Sequence, residues 1–170
     1  YLVRLVAAMK YLVAIDDSAP SKQAFEFLLQ IAKPTDEIFL LAVAEDTVAG
    51  MAIPYAATVT AIVEIDNSIK AHLRETLKGY GKQLVLKGLR HTCLLGKGSC
   101  GETVCEEASY HKVDMIIVGR RHLSSLTRSV VGSVSAYILH NAPCAVTVVK
   151  TETHTEEPKS ERQKAEVVEQ

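Results

Sequence analysis

The sequence has no tryptophan, and aromatic residues make up only 5% of its 170 residues. Hydrophobic residues nevertheless account for 48% of the chain, so the core must consist mainly of valine, leucine, isoleucine and alanine. This composition favours a parallel sheet of β-branched strands covered by helices that carry alanine and leucine. The length is typical of one domain with a complete core of its own.

The chain also lacks a large net charge of either sign. Its formal charge is −1 at pH 7. A general nucleic-acid binder or a protein of acidic membrane surfaces needs a broad basic field, so the sequence predicts neither partner. Any site for an anion must therefore be local.

Long apolar runs and clustered cysteines are missing as well. The longest unbroken apolar stretches fall far below the ~20 residues that a membrane span needs. The cysteines form neither a CxxC pair nor a metal-type spacing, and no two of the six histidines stand four apart with a carboxylate between them. We therefore predict no metal site, no disulfide framework and a reducing, cytoplasmic location. The four cysteines are Cys93, Cys100, Cys105 and Cys144.

The chain divides into three parts by composition. Residues 1–8 are interpreted as an upstream extension or a remnant of cloning, and residues 9–150 as the domain. Residues 151–170 contain nine charged residues in twenty and almost no apolar ones. That composition predicts a disordered tail.

Apolar runs and helical repeats alternate through the domain. The predicted strands are 11–15, 37–43, 91–96, 115–119 and 145–149. The four helices between them are indicated by apolar positions at helical spacing, the second being the longest. Five strands in alternation with helices predict an α/β fold, a doubly wound five-stranded parallel sheet with helices on both faces.

Local signals mark where the helices begin. Ser18 is a candidate cap of the first helix, whose apolar positions are predicted at Ala24, Phe27, Leu28 and Ile31. Ser99 and Glu102 form a capping-box pattern for the third helix. The segment 44–58 contains Gly50 and Pro54 without a clean period, and its length suggests a lid or a binding role.

The stretch VGRRHLSSLTRSVVGS, residues 118–133, follows the fourth strand and leads into the last helix. Ligands of doubly wound sheets bind at the carboxyl ends of strands, where Asp16 and Gly119 are both expected. The first turn of a helix offers backbone N–H groups to an anion, and Ser133 and Ser135 add hydroxyl donors there. Positive charge comes from the loop arginines, so phosphate is the natural ligand. A plain polar loop, with Asp16 as a helix cap, is the alternative. The arginines are Arg120, Arg121 and Arg128.

These segments resemble the universal stress protein family. The family signature is Gly, two residues, Gly, nine residues, then Gly-Ser or Gly-Thr. Here the same spacing runs from Gly119 through His122 to Gly132 and Ser133, with His122 in place of the second glycine. YLVAIDDSAPSKQAFEF and GSVSAYILHNAPCAVTVVK resemble the opening and closing segments of the family, and the resemblance covers about residues 10–150. It implies the universal stress protein version of the adenine nucleotide alpha hydrolase-like fold.

The resemblance implies an adenine nucleotide, ATP or AMP, and a bound nucleotide would normally bring Mg²⁺ with it. By position, Asp16 would contact the ribose, while Ala14 and Val43 would line the adenine pocket. Val118 and Gly119 would border the ribose and phosphates. The residues around the phosphates would be His122, Gly132, Ser133 and Val134. It also implies a homodimer that pairs through the last strand, 145–149. With the loop residues added, the predicted nucleotide-binding set is Ala14, Asp16, Val43, Val118, Gly119, Arg120, His122, Gly132, Ser133, Val134 and Ser135.

The histidine at position 122 is the departure from the family pattern. Its ring either fills the phosphate position or turns outward and donates a hydrogen bond to the phosphate. We expect nucleotide binding because the other signature positions are present. The alternatives are a dimeric interaction module that binds no nucleotide and a slow ATP hydrolase. No acid pair or nucleophile elbow is recognisable, so we predict no catalytic residue.

Overall fold

The computed structural model describes residues 8–45, 58–120 and 132–150. Within them, strands and helices alternate as the sequence predicts. Residues 46–57 of the predicted lid, the loop residues Arg121, His122 and Arg128, and the tail all lie outside the described residues. The elements are β1 Lys10–Ala14, α1 Ala19–Ile31, β2 Glu37–Ala44, α2 Thr58–Leu86, β3 Arg90–Lys97, α3 Cys100–Tyr110, β4 Met115–Gly119, α4 Ser133–Asn141 and β5 Ala145–Val149.

The five strands form one parallel sheet in the order β3-β2-β1-β4-β5. Val13 of β1 lies between Leu40 of β2 and Ile117 of β4. From β1 the chain moves outward to β2 and β3, then crosses back to β4 and β5. The strand order therefore reverses between β1 and β4, the place where ligands bind in such sheets. The predicted fold class is confirmed.

Two aliphatic cores cover the two faces of the sheet. Side chains alternate along β2, so Ile38 and Leu40 point to the core beneath α1 and α2, while Phe39 and Leu41 point to the core beneath α3 and α4. Both sets are buried. Strands covered on both sides must be apolar at nearly every position, which explains the unbroken runs in the sequence.

Helix α1 begins as predicted, but its buried face is displaced. Ser18 is the N-cap, and its hydroxyl accepts a hydrogen bond from the Ser21 N–H at 3.3 Å. Phe25 is fully buried, whereas Phe27 is only partly buried. The reason is α2, since the Phe25 ring meets the Tyr80 ring edge-on with centroids 4.6 Å apart. The buried face of α1 thus faces α2 as well as the sheet.

The capping interaction predicted for α3 is wrong, although the helix starts at the predicted place. Ser99 is the N-cap, but its exposed side chain makes no capping hydrogen bond. Instead the Thr103 hydroxyl donates to the Ser99 carbonyl at 2.9 Å.

Strand β3 is longer than the predicted 91–96, because it pairs with β2 along its full length. Among the helices at 19–31, 58–86, 100–110 and 133–141, none combines the length and apolar character that a membrane crossing requires.

Candidate functional site

A cavity of about 350 Å³ lies at the carboxyl ends of β1, β2 and β4, beside the first turn of α4. This volume is within the range of small-molecule sites, about 300–1,000 Å³. Eight of the lining residues have aliphatic side chains, and six have polar or charged ones. The lining residues are Ala14, Ile15, Asp16, Ser18, Ser21, Leu41, Val43, Glu45, Ile69, Leu73, Cys100, Val118, Gly119, Gly132, Ser133, Val134 and Ser135.

The structure brings together nine of the eleven residues that the sequence assigns to nucleotide binding. They come from three strand ends and one helix start that are distant in sequence. Arg120 is not among the lining residues. Its backbone N–H donates a hydrogen bond to the Val149 carbonyl at 2.9 Å. His122 lies outside the described residues. The nine are Ala14, Asp16, Val43, Val118, Gly119, Gly132, Ser133, Val134 and Ser135.

The turn after β1 fixes the position of Asp16. Its backbone N–H donates to the Ser21 hydroxyl at 2.9 Å, and its Oδ1 accepts from the Ser18 N–H at 2.9 Å and from the Ser18 hydroxyl. Ser21 is buried and also donates to the Ala14 carbonyl at 3.4 Å. Because Ser18 caps α1, the alternative that Asp16 is the cap is wrong. Asp16 is held at the cavity by the residues that start the helix.

The described part of the cavity is acidic. Asp16 follows β1 and Glu45 follows β2, and both line the cavity, whereas no lysine, arginine or histidine is among the described residues that do. Burial raises the pKa of the nearby Tyr80 phenol, and the charges of Asp16 and Asp17 raise it further. The two described negative charges of the cavity therefore lie at the carboxyl ends of β1 and β2.

The start of α4 provides the opposite polarity. Gly132 is its N-cap, and its carbonyl accepts the Ala136 N–H at 2.8 Å. The backbone N–H groups of the first turn have no acceptor within a helix, so they present partial positive charge to the cavity. The Ser135 hydroxyl, expected to face a ligand, donates to the Gly132 carbonyl at 3.0 Å and is buried. Its role in the structure is to stabilise the helix start.

Gly119 is required by close packing. A Cβ at this position would lie 2.2 Å from the Pro20 carbonyl oxygen and 2.3 Å from the Pro20 carbonyl carbon. Real Cβ atoms do not approach backbone so closely, so β4 can end beside the first turn of α1 only with glycine there. This requirement arises within the protein and needs no ligand.

Sequence reasoning missed the contribution of α2 and of Glu45. Ile69 and Leu73 have helical spacing, which predicts only the apolar face of a helix, yet they form one wall of the cavity. Glu45 follows β2 in the same way that Asp16 follows β1, so the rule that ligands bind at strand ends could have identified it. Cys100, the first residue of α3, also lines the cavity and had no signal of its own.

Comparison with known proteins gives the chain its relatives. A model of the universal stress protein family matches residues 8–150. Universal stress protein YxiE of Bacillus subtilis is 27% identical over 150 residues, covering 83% of this chain and 98% of that protein. The structure of universal stress protein UspA from Lactobacillus plantarum superposes with a TM-score of 0.70 at 24% identity, covering 83% of this chain and 97% of that one.

A further solved relative comes from Arabidopsis thaliana, a universal stress protein family protein with AMP bound. Its TM-score is 0.60 at 21% identity, and the match covers 85% of this chain and 92% of the Arabidopsis chain. At such identities the structural matches establish the fold alone. The family model, however, spans more than four fifths of the sequence. The chain therefore belongs to the universal stress protein family.

Proposed function

We propose that the protein binds an adenine nucleotide, AMP or ATP, in the cavity at the carboxyl ends of β1, β2 and β4. The bound nucleotide then acts as a switch for its interactions in stress response or signalling. The observation that carries this proposal is the convergence of nine predicted residues on one cavity of about 350 Å³. The AMP bound to the Arabidopsis relative supports the same ligand class.

The chemistry of the cavity fits the parts of a nucleotide. Aliphatic side chains, among them Val43 and Leu73, offer an apolar slot for adenine. The Asp16 carboxylate, fixed by Ser18 and Ser21, is suited to accept the ribose hydroxyls, because hydrogen bonds to a charged acceptor are the stronger kind. The first turn of α4, at Ser133, offers backbone N–H groups to phosphate.

The charges of the cavity lead us to expect AMP to bind better than metal-free ATP. Asp16 and Glu45 repel additional phosphates, and the described lining has no basic side chain to compensate. Mg²⁺ would offset part of the triphosphate charge, so it should strengthen ATP binding more than AMP binding. Arg121 and Arg128, outside the described residues, are the further candidates for pairing with phosphate.

We further propose that the protein is a cytoplasmic homodimer with at most slow ATP hydrolysis. Strand β5 lies at one edge of the sheet and pairs with β4 on one side. An edge strand presents a row of backbone groups that can pair with another chain, and β5 has an apolar sequence. Sedimentation of the wild type tests the dimer. A monomer at micromolar concentration would contradict it.

The test of nucleotide binding is isothermal titration calorimetry of AMP and ATP, each with and without Mg²⁺. Asp16→Asn keeps the oxygen that accepts from Ser18 and loses the charge, and we expect it to weaken AMP binding about tenfold. Gly132→Val fills space at the first turn of α4 and should abolish binding. The matched control is Asp114→Asn. Asp114 precedes β4 and therefore lies at the amino ends of the strands, opposite the cavity, where its carboxylate accepts a hydrogen bond from the Lys10 backbone N–H at 2.8 Å.

The outcomes separate the candidate functions. Binding by the wild type and Asp114→Asn, with loss in Gly132→Val, supports the proposal. Absence of heat with any nucleotide, in protein purified free of nucleotide, would contradict it and favour the interaction module. Release of phosphate from ATP, above that of Gly132→Val, would favour the slow hydrolase.

A further inference from the structure

Asp17, the residue after Asp16, makes a long-range link to α2. Its Oδ1 accepts a hydrogen bond from the Thr76 hydroxyl at 2.9 Å, and its Oδ2 contacts His72 Nε2. The partners are 55 and 59 residues away in sequence. One turn of chain thus places two carboxylates with different surroundings, Asp16 at the cavity and Asp17 against α2.

The residues that Asp17 contacts lie on the face of α2 that walls the cavity. Ile69 and Leu73 line the cavity. His72 and Thr76 complete the spacing i, i+3, i+4, i+7 with them, which places all four on one side of a helix. The distance between this side of α2 and the β1–α1 turn therefore sets the width of the cavity.

Among the residues that the structure describes, few buried contacts hold the half of α2 near the cavity. With 29 residues the helix is ~43 Å long at 1.5 Å per residue, whereas the eight residues of β3 span only ~26 Å at about 3.3 Å per residue. We call residues 61–76 the upper half of α2 and residues 77–86 the lower half. Leu77 and Leu84 in the lower half are buried, whereas no residue of the upper half is fully buried. Segments with few buried contacts open locally at low free-energy cost.

We propose that Asp17 is a positioning residue of the nucleotide site, holding the upper half of α2 as a wall of the cavity through His72 and Thr76. The inference rests on the proposed nucleotide binding. Asp17 itself touches no nucleotide; it acts through Ile69 and Leu73. Because Asp17 and His72 are more than half exposed, water screens their contact, and the effect on binding is a few-fold change.

The first experiment follows amide hydrogen exchange in the complete chain without nucleotide. Asp17→Ala and Thr76→Val should speed exchange several-fold in residues 61–76 and leave residues 77–86 unchanged. The matched control is Glu75→Ala, which removes an exposed α2 carboxylate that pairs with Lys78 at 2.6 Å. Unchanged exchange in Asp17→Ala would overturn the link.

The second experiment measures AMP affinity of the same variants by calorimetry. Asp17→Ala should weaken binding about three- to tenfold, which corresponds to about 0.7–1.4 kcal/mol. Asp17→Asn and Thr76→Ser retain the oxygen and hydroxyl of the 2.9 Å hydrogen bond and should restore binding to within about twofold. If the conservative variants bind AMP and Asp17→Ala binds it weakly, the hydrogen bond positions the site. Urea unfolding of each variant measures whether a general loss of stability contributes.

Failure of the inference and failure of the proposed function give different results. If the wild type binds AMP and Asp17→Ala binds it equally well, the positioning role is wrong and the nucleotide site stands. If the wild type binds no AMP, the proposed function fails and the positioning role fails with it, whatever the exchange data show.

Discussion

The contact between Gly119 and Pro20 predicts the effect of a single added methyl group. Gly119→Ala places a Cβ 2.2 Å from the Pro20 carbonyl oxygen, 2.3 Å from the carbonyl carbon and 2.8 Å from the Pro20 Cβ. Two of these three atoms are backbone in the first turn of α1, so no side-chain rotation relieves the overlap. Either β4 or the start of α1 must move.

The expected cost lies at the upper end of the range for overpacking. Added atoms in a well-packed site cost about 1–3 kcal/mol, and a rigid backbone obstacle favours about 3 kcal/mol. For a domain of this size, each kcal/mol lowers the melting temperature by about 2–4 °C, so we expect a decrease of about 6–12 °C. Urea unfolding monitored by circular dichroism measures the free energy directly.

Gly79→Ala is the matched control for this prediction. Gly79 lies exposed within α2, and a Cβ there would have nothing within 4 Å. The same substitution should therefore stabilise the protein by about 0.5–1 kcal/mol, because alanine favours the helix. If Gly119→Ala is as stable as the wild type, the close approach of Pro20 is not rigid and the steric argument is wrong.

Three further predictions concern the core, a buried turn and a thiol. Leu28→Ala removes a fully buried side chain of α1 and should cost about 2–5 kcal/mol in urea unfolding; a loss below 1 kcal/mol would show that the site collapses. Asp36→Ala should cost about 1–3 kcal/mol in the same assay, since the buried carboxylate accepts from the Met9 N–H at 2.9 Å and the Lys33 N–H at 2.8 Å; wild-type stability would exclude that role. Burial raises the pKa of the Cys144 thiol, because the folded state favours the protonated form. This preference adds to the free energy of unfolding at pH values below the ordinary thiol pKa, and the contribution is lost as the pH rises through the folded-state pKa. Iodoacetamide at pH 8 should alkylate Cys144 more slowly in native than in urea-unfolded protein, and equal rates would contradict this.

Periodicity was sufficient to predict the fold because the three central strands, β1, β2 and β4, are buried on both faces. A strand such as 115–119 needs apolar side chains at every position, and no amphipathic helix produces that pattern. What periodicity could not predict is which neighbour a helix meets. Phe25 rather than Phe27 is fully buried because α2 lies against that side of α1, and such a contact is not encoded in the spacing of α1 itself.

The candidate site was predictable where strands end and unpredictable where α2 overhangs the sheet. The parallel topology alone was sufficient to place Asp16 and Gly119 together at the carboxyl ends of the strands. Ile69 and Leu73 have the spacing of ordinary core residues, and only the excess length of α2 beyond β3 puts them at the cavity. Asp17 carried no sequence signal that distinguishes it from a solvated turn residue.

The two glycines of the signature within the described structure have different physical reasons, and this decides which of them reports on nucleotide binding. Gly119 is required by Pro20, so its presence is explained without a ligand. Gly132 has φ −58° and ψ 153°, a conformation open to any residue, yet it lines the cavity at the first turn of α4. Gly132→Val should therefore keep its stability within about 1 kcal/mol and lose AMP, whereas Gly119→Ala should lose stability first. If Gly132→Val instead unfolds like Gly119→Ala, the glycine at the start of α4 also serves packing, and neither position is evidence for a phosphate.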